Sequence, residues 1–503
     1  MPSIPDTLRT TAARCPDRDA LVFGDRRRTF RELAAEVEAS AAALAAQGVG
    51  RGDRVLLMSP NSDAFAVAAY AVLRVGAILV PGNPANTAPE VVHLVTDSGA
   101  AAVLHAAGVS DVVSAALAQL DDAPPALTLD RLAELASGDH SPVEHWPVES
   151  DDALLLYTSG TTGAPKGALF DHHRTVWCMT AMATATGYRD GDRTVHAAPL
   201  YHAAALCLVL FPGVALAMTQ VVLPSFDPAA LLDVLERERI TLFFGVPTMY
   251  QFLLRQPDLA QRDLSSWRIG LFGAAPMSAD NVRALSAALP NVDLFQLCGQ
   301  TEGGPGGVYC GPEDVKARPD ASGRWALPNM EARVVTPDDV DVEPGQVGEL
   351  LLRGETVMKG YWNRPEATAE TLRGGWLHTG DLATLDADGY ITLVDRLKDL
   401  IITGGRNVYS VEVEGAVAGH PAVADVAVVG VPHPDYGESI VAVVVPREGA
   451  EPTLEELREW AGERIAAYKL PHRLLFEAIP RNPSGKIQKH LLRDGVRATL
   501  ATA

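Results

Sequence analysis

Eleven residues, Tyr157-Thr-Ser-Gly-Thr-Thr-Gly-Ala-Pro-Lys166-Gly167, combine hydroxyls, glycines and one lysine. Those types suit one task, the wrapping of a polyphosphate. Glycine lets backbone N–H groups come close to an anion, and successive N–H groups make anion-binding concavities. Thr158, Ser159, Thr161 and Thr162 add neutral donors around Gly160 and Gly163, and Lys166 adds a point charge. The stretch is not a Walker A motif, which needs G-x-x-x-x-G-K-[ST]. Here Gly163 is followed by Ala-Pro-Lys-Gly, so a P-loop kinase or GTPase is disfavoured.

The apolar run Ala153–Leu156 before the loop reads as a short buried strand. Upstream, Phe30, Leu33, Val37, Ala41 and Leu44 fall at helical spacing, Val55–Met58 reads as a strand, Ala64–Val75 as a helix and Ala77–Pro81 as a strand. Such alternation argues for parallel sheets with crossover helices. Residues 106–150 read as a helix and a loose connection. Downstream, strands are expected at 194–198, 219–223, 240–244, 271–272 and 292–296, with Asp227 and Ser278 as helix N-caps. Beyond residue 325, Glu331–Val335, Gly348–Leu352 and Tyr390–Val394 alternate as antiparallel strands do. The expected fold is α/β. A large N-terminal domain, 1–395, has mixed, mainly parallel sheets flanked by helices plus a small antiparallel β subdomain. A small mobile α+β C-terminal domain, 396–503, ends in a tail.

The 503 residues carry 42 Lys plus Arg against 63 Asp plus Glu, a net charge of −21. Neither a nucleic-acid partner nor an anionic membrane suits such a chain. Five scattered cysteines without a C-x-x-C pair suggest neither a disulfide framework nor a zinc site, and a reducing cytoplasm is expected. The apolar stretch Ala203–Met218 is interrupted by Pro212 and Gly213 and falls short of a membrane span.

Several further motifs stand in a fixed order. They are Pro199-Leu-Tyr201-His202, Gly273-Ala274-Ala275-Pro276, Gln300-Thr301-Glu302, Gly348-Glu-Leu, Tyr361–Pro365, Thr379-Gly380-Asp381, Asp395–Glu412 and Pro480–Lys486. Together with the phosphate loop they resemble the adenylate-forming superfamily, and within it the acyl-CoA synthetases. The resemblance covers nearly the whole chain.

It implies an ATP- and Mg²⁺-dependent acid–thiol ligase, with coenzyme A as the thiol and a small carboxylic acid as substrate. Joining a carboxylate to ATP sets one anion against another, so charge at the α-phosphate must be offset. Glu302 is the expected Mg²⁺ ligand, since that ion takes oxygen ligands, often one carboxylate plus phosphates. Thr301 would donate to the α-phosphate, and Lys166 would hold the β- and γ-phosphates. Gly273, Ala274 and Ala275 would lie along the adenine beside Gln300. Asp381, an acceptor only, suits the ribose hydroxyls, with Arg396 close by. By resemblance Lys486 bridges carboxylate and phosphate during adenylation, in a sequence resembling the family's acetylation sites. Lys398 would be the hinge about which the small domain turns. Gly404 and Gly405 would then leave a channel for the pantetheine thiol. Tyr201, His202, Phe244, Val246, Met249 and Gly299 would line the acyl pocket, to which Phe243 and Phe252 are further apolar candidates. His172, His173 and His196 are read as structural.

Two departures bear on the substrate. Cys298 stands where the family has an aromatic residue stacking on adenine, and reads as a small packed residue rather than a nucleophile. The resemblance of Val246–Tyr250 to malonyl-CoA synthetases stops before their arginine, since Gln251-Phe252 follows and the next arginine is Arg255. An apolar, aliphatic acid is therefore expected, with a malonyl or other short-acid ligase as the alternative. A second alternative delivers the acyl group to an acyl carrier protein. Monomer and homodimer both remain open.

Overall fold

The protein is described by a computed structural model covering residues 2–158, 164–275, 277–481 and 487–502. It divides into two compact units. One comprises residues 2–158, Pro165–Ala332 and Leu352–Leu377. The other comprises Ala164, Arg333–Leu351 and the described residues from 378 onward.

The first unit is built on two large sheets. Seven strands run in the order Gly360–Tyr361, Lys166–Asp171, Asp152–Thr158, Ile78–Gly82, Arg54–Met58, Ala102–His105 and Ala126–Thr128. The central strands pair in parallel, whereas Asp152–Thr158 and Lys166–Asp171 form an antiparallel pair. Nine strands make the second sheet. Its parallel core runs Asp293–Gly299, Ile269–Gly273, Leu242–Gly245, Arg193–His196, Thr219–Val222 and Asp19–Phe23. The core strands are buried apolar runs such as Leu242–Gly245, as expected when helices cover both faces. Helix Asp63–Arg74 is buried all round, which fits its nearly unbroken apolar sequence. Thr29 and Glu32 form a capping box that starts helix Phe30–Ala46.

The second unit contains most of a four-stranded sheet ordered Met330–Val335, Val347–Gly354, Leu377–Leu385, Ile391–Arg396. It also contains a sheet centred on the antiparallel pair Val423–His433 and Gly437–Pro446. Helix Ser410–Ala418 packs there through Val413 and Val417, and helix Leu454–Gly462 through Leu457 and Ala461.

Two local expectations change. Residues 106–150 contain a short strand, Ala126–Thr128, and a second helix, Leu129–Ala136, capped by Thr128. The C-terminal tail is a helix, Lys489–Thr502, which buries Leu492 and Val496 against the strand pair. Apolar stretch 203–218 is a buried helical segment with a π turn at Leu206–Leu210. No helix among the described residues is long and apolar enough to cross a membrane.

His172 and His196 are buried, as their structural reading requires. The backbone N–H of Ile4 donates to His172 Nδ1 at 3.2 Å, and His196 Nε2 lies 2.9 Å from Gln220 Oε1. Burial pushes both imidazoles down to about 4. Between pH 6.5 and about 4 the unfolded chain therefore binds protons that the folded chain refuses. Stability is full above that window and falls as pH drops through it, by up to about 3 kcal/mol per histidine. Thermal unfolding at stepped pH is expected to show this decline, and a shallower one for His196→Gln.

Candidate active site

Four neighbouring parallel strands of the nine-stranded sheet deliver predicted site residues at their carboxyl ends. Arg193–His196 leads to Tyr201 and His202, and Leu242–Gly245 contains Phe244 and leads to Val246 and Met249. Ile269–Gly273 leads to Ala274 and Ala275, and Asp293–Gly299 leads to Gln300, Thr301 and Glu302. Ligands of open α/β sheets bind at that edge because the loops there are free to carry side chains. Motifs more than a hundred residues apart are thus brought to one rim by strand order.

Close backbone approach explains two glycines on this rim. A Cβ on Gly273 would lie 2.3 Å from the Leu297 carbonyl oxygen, and one on Gly299 would lie 2.5 Å from that of Gly306. Next to Gly273, Ala274 holds a left-handed φ of 66°, an uncommon conformation for a residue with a side chain. Both Ala274 and Ala275 are exposed, which leaves their surface open to a flat ring.

Glu302 lies in the single turn Thr301–Gly303, 9% exposed. Tyr361 Oη donates to Glu302 Oε1 at 2.8 Å. Met358 N–H donates to the Glu302 carbonyl at 2.9 Å, and the Thr356 hydroxyl donates to that of Gly303 at 2.6 Å. A Cβ on Gly304 would come 2.2 Å from the Thr356 carbonyl oxygen, so the segment 356–361 clasps this turn closely. Among the described residues no group of three or more His, Cys, Asp or Glu could hold a metal. A single buried carboxylate fits a hard cation that takes its remaining ligands from phosphate and water.

The stems of the phosphate loop are well fixed. Thr158 pairs with Lys166 across the two strands. Tyr157 Oη donates to Asp97 Oδ2 at 2.8 Å, and Asp97 also pairs with Arg364. His93 Nε2 lies 2.9 Å from the Pro165 carbonyl oxygen. The Lys166 ammonium sits 4.9 Å from the centre of the Tyr361 ring. The loop residues Ser159, Gly160, Thr161, Thr162 and Gly163 lie outside the described residues, as do Pro276 and Lys486.

His202 is held beside Tyr201, with ring centres 4.8 Å apart. Its Nε2 is buried and has no hydrogen-bond partner among the described residues. Burial lowers its pKa, so the ring is neutral near pH 7 and can serve a bound ligand as donor or acceptor. The loop carrying it is clamped by Asn61, whose Oδ1 accepts from Leu200 N–H at 2.7 Å and whose Nδ2 donates to the Ala198 carbonyl at 2.9 Å. Phe244 and Met249 are buried and Val246 is half-buried. Phe243 is instead a core residue, packed on Tyr250 and Trp267, and Phe252 is largely exposed against Phe226. Strand alternation separates Phe243 from Phe244. Cys298 lines a small apolar cavity with Met182, Leu208, Pro305 and Leu327, in keeping with a packing role. A roomier cleft, about 600 Å³, lies between helix Phe30–Ala46 and residues 141–145 and is lined by none of the predicted site residues.

In the second unit, Asp381 and Arg396 face each other across neighbouring strands, with Arg396 Nε 2.6 Å from Asp381 Oδ1. The expected ribose-binding turn is a kink inside strand Leu377–Leu385, made by Gly380 at φ 68°. Glu349 fixes it by accepting from Gly380 N–H at 2.9 Å and binding His378 Nδ1 at 2.9 Å. Lys398 is exposed in the turn Leu397–Asp399. Both flanks of that turn are anchored. Asp395 accepts from the Ser410 hydroxyl at 2.7 Å, which in turn accepts from Lys489 at 2.6 Å, and Arg493 pairs with Asp399 at 3.0 Å. Lys489 also pairs with Glu414 at 2.7 Å, whose carboxyl burial raises. Gly404 and Gly405, at φ 56° and 73°, form the two-residue turn of a hairpin between Ile401–Thr403 and Arg406–Val408. Two successive positive φ angles are what such hairpin turns require.

Sequence reasoning missed Asn61, His93, Asp97, Glu349, Arg364 and the hydroxyl of Tyr361. Each acts on a partner far away in sequence; the motifs Gly348-Glu-Leu and Tyr361–Pro365 contain Glu349, Arg364 and Tyr361, but nothing in them announced these contacts.

Residues 8–362 match the family model described as AMP-binding enzyme, and residues 412–486 match the AMP-binding enzyme C-terminal domain. The chain is 41% identical over 483 residues to a feruloyl-CoA synthase of an Amycolatopsis species, covering 95% of this chain and 96% of that one. It is 36% identical over 485 residues to the long-chain-fatty-acid–CoA ligase FadD13 of Mycobacterium tuberculosis, covering 95% and 94%. Among solved structures, the o-succinylbenzoate CoA synthetase of Bacillus subtilis in complex with its acyl-adenylate intermediate superposes with a TM-score of 0.90 at 30% identity, over 98% of this chain and 99% of that one.

Proposed function

This chain belongs to the AMP-binding enzyme family, and we propose that it joins an apolar monocarboxylic acid to free coenzyme A. The enzyme is an AMP-forming acid–thiol ligase that uses ATP, Mg²⁺ and coenzyme A. In the first half-reaction a carboxylate oxygen attacks the α-phosphorus and pyrophosphate leaves. In the second the thiol sulfur attacks the acyl carbonyl, the thiol proton is lost to base and AMP leaves.

Glu302 holds the magnesium ion, which offsets charge on the phosphates. Lys166 and the loop hydroxyls hold the departing pyrophosphate, and Thr301 donates to the α-phosphate. Ala274 and Ala275 support the adenine, Gln300 bounds it, and Asp381 accepts from the ribose hydroxyls. Lys486 supplies positive charge between the two anions. Neutral His202, its Nε2 buried without a partner, is suited to bond the acyl group. Residues 1–395 form the adenylating domain and 396–503 a domain that turns about Lys398 between half-reactions, exposing Gly404 and Gly405 to the thiol. Five cysteines without a disulfide between them suit a cytoplasmic enzyme.

What supports the substrate class is that Phe244 and Met249, both apolar, are buried at the carboxyl ends of these strands. A second reading, an aromatic propenoic acid, is favoured by the 41% identity to a protein named feruloyl-CoA synthase. A panel of straight-chain acids, ferulate and malonate, each assayed with coenzyme A and with a phosphopantetheinylated carrier protein, tests both. Straight-chain acids are expected to be turned over fastest, on coenzyme A, with malonate near background. Preference for ferulate selects the second reading, and preference for malonate or for the carrier protein contradicts the proposal.

A further inference from the structure

We propose that Tyr361 is a positioning residue that couples the magnesium-binding carboxylate to the phosphate-loop lysine. The proposal rests on the reading of Glu302 as a ligand for that ion. Tyr361 belongs to the two-residue strand Gly360–Tyr361, which extends the seven-stranded sheet by pairing with Leu169 and Ala168. Its backbone N–H donates to the Thr368 hydroxyl at 2.9 Å. Strand pairing on one side and the bond to the Thr368 side chain on the other therefore set where the ring stands.

From that position one side chain meets two charged groups of opposite sign. The hydroxyl donates to Glu302 Oε1 at 2.8 Å, and the ring lies 4.9 Å from the Lys166 ammonium. Among the described residues this is the one hydrogen bond to the Glu302 carboxylate. It occupies one oxygen, fixes the carboxylate plane and leaves Oε2 for a cation. Such outer partners orient ligands, and their loss typically weakens metal binding about 10- to 100-fold. The ring face also attracts the ammonium, which holds Lys166 near the polyphosphate without neutralising it as a carboxylate would. A tyrosine does both because it has an apolar body and a polar tip.

The two contacts separate by substitution. Tyr361→Phe removes the hydroxyl and keeps the ring, whereas Tyr361→Leu removes both. Mn²⁺ is the probe, titrated by electron paramagnetic resonance with a non-hydrolysable ATP analogue present. Affinity for the analogue without metal is measured separately by calorimetry. Tyr361→Phe is expected to bind Mn²⁺ about tenfold more weakly, with metal-free analogue affinity unchanged. Tyr361→Leu is expected to lose several-fold in metal-free analogue affinity as well. Mn²⁺ affinity within twofold of the parent in Tyr361→Phe overturns the proposal, as does an equal loss of metal-free affinity in that variant. Glu302→Gln separates the premises. If it keeps Mn²⁺ affinity, the assignment of Glu302 as a ligand fails. If it loses that affinity while Tyr361→Phe does not, only the role of Tyr361 fails.

Discussion

Lys486→Ala is expected to slow acyl-AMP formation by about 10²–10³-fold while leaving transfer from preformed acyl-AMP to coenzyme A within a few-fold of the parent. The first step brings a carboxylate against a phosphate, and a cation between them is worth most as negative charge concentrates in the transition state. The second step breaks a bond between two groups already joined and has no such repulsion. Lysine is the fitting residue, since its ammonium is a compact charge on a long flexible stem. Acid-dependent pyrophosphate release measures the first step, and thioester formation from synthetic acyl-AMP measures the second. Equal losses in both would mean that Lys486 supports the fold or the whole cycle rather than adenylation. Lys486→Gln, a mimic of the acetylated side chain, is expected to behave as the alanine variant does.

Asp381→Ala is expected to lower kcat/KM for ATP by about 10²-fold, chiefly through KM, with little change in KM for the acid. Hydrogen bonds to an ionised acceptor are worth roughly 1.5–3 kcal/mol each, and two ribose hydroxyls are to be held. The carboxylate is held by a kink at Gly380 and by Arg396 at 2.6 Å, so the geometry is prepared before nucleotide binds. Removing it also leaves the Arg396 guanidinium without this partner, which adds to the cost of the substitution. Initial rates over an ATP series at saturating acid measure the effect, and 2′-deoxy-ATP should discriminate less between variant and parent than ATP does.

The parts of this fold legible in the sequence are those governed by local rules. Buried parallel strands announced themselves as apolar runs, and Asp227 and Ser278 cap the helices that follow them. The carboxyl-end residues from Tyr201 to Glu302 could be named because their motifs resemble those of the adenylate-forming superfamily, and each of those motifs follows such a strand. What stayed hidden depends on partners remote in the chain. Asn61 clamps a loop more than 130 residues away, and nothing in Ser59-Pro60-Asn61 announces it. Tyr361 lies 59 residues from Glu302. The terminal helix Lys489–Thr502 carries Gly495 and many charges, so its apolar spacing is thin. Lys489 and Arg493 anchor it to Ser410 and Asp399, contacts that local periodicity does not encode. Gly404 and Gly405 show a further limit, since a positive-φ hairpin turn demands glycine whatever approaches it.

The central claim is a two-step ligation through a bound acyl-adenylate. It is tested most directly by incubating the protein with ATP, Mg²⁺ and an accepted acid, with and without coenzyme A, and counting products. Without coenzyme A, one equivalent of pyrophosphate per enzyme should appear in a burst, matched by enzyme-bound acyl-AMP. With coenzyme A, AMP, pyrophosphate and thioester should accumulate in equal amounts. Pyrophosphate release that proceeds equally well without any carboxylic acid, or formation of ADP and phosphate in place of AMP and pyrophosphate, would contradict the account.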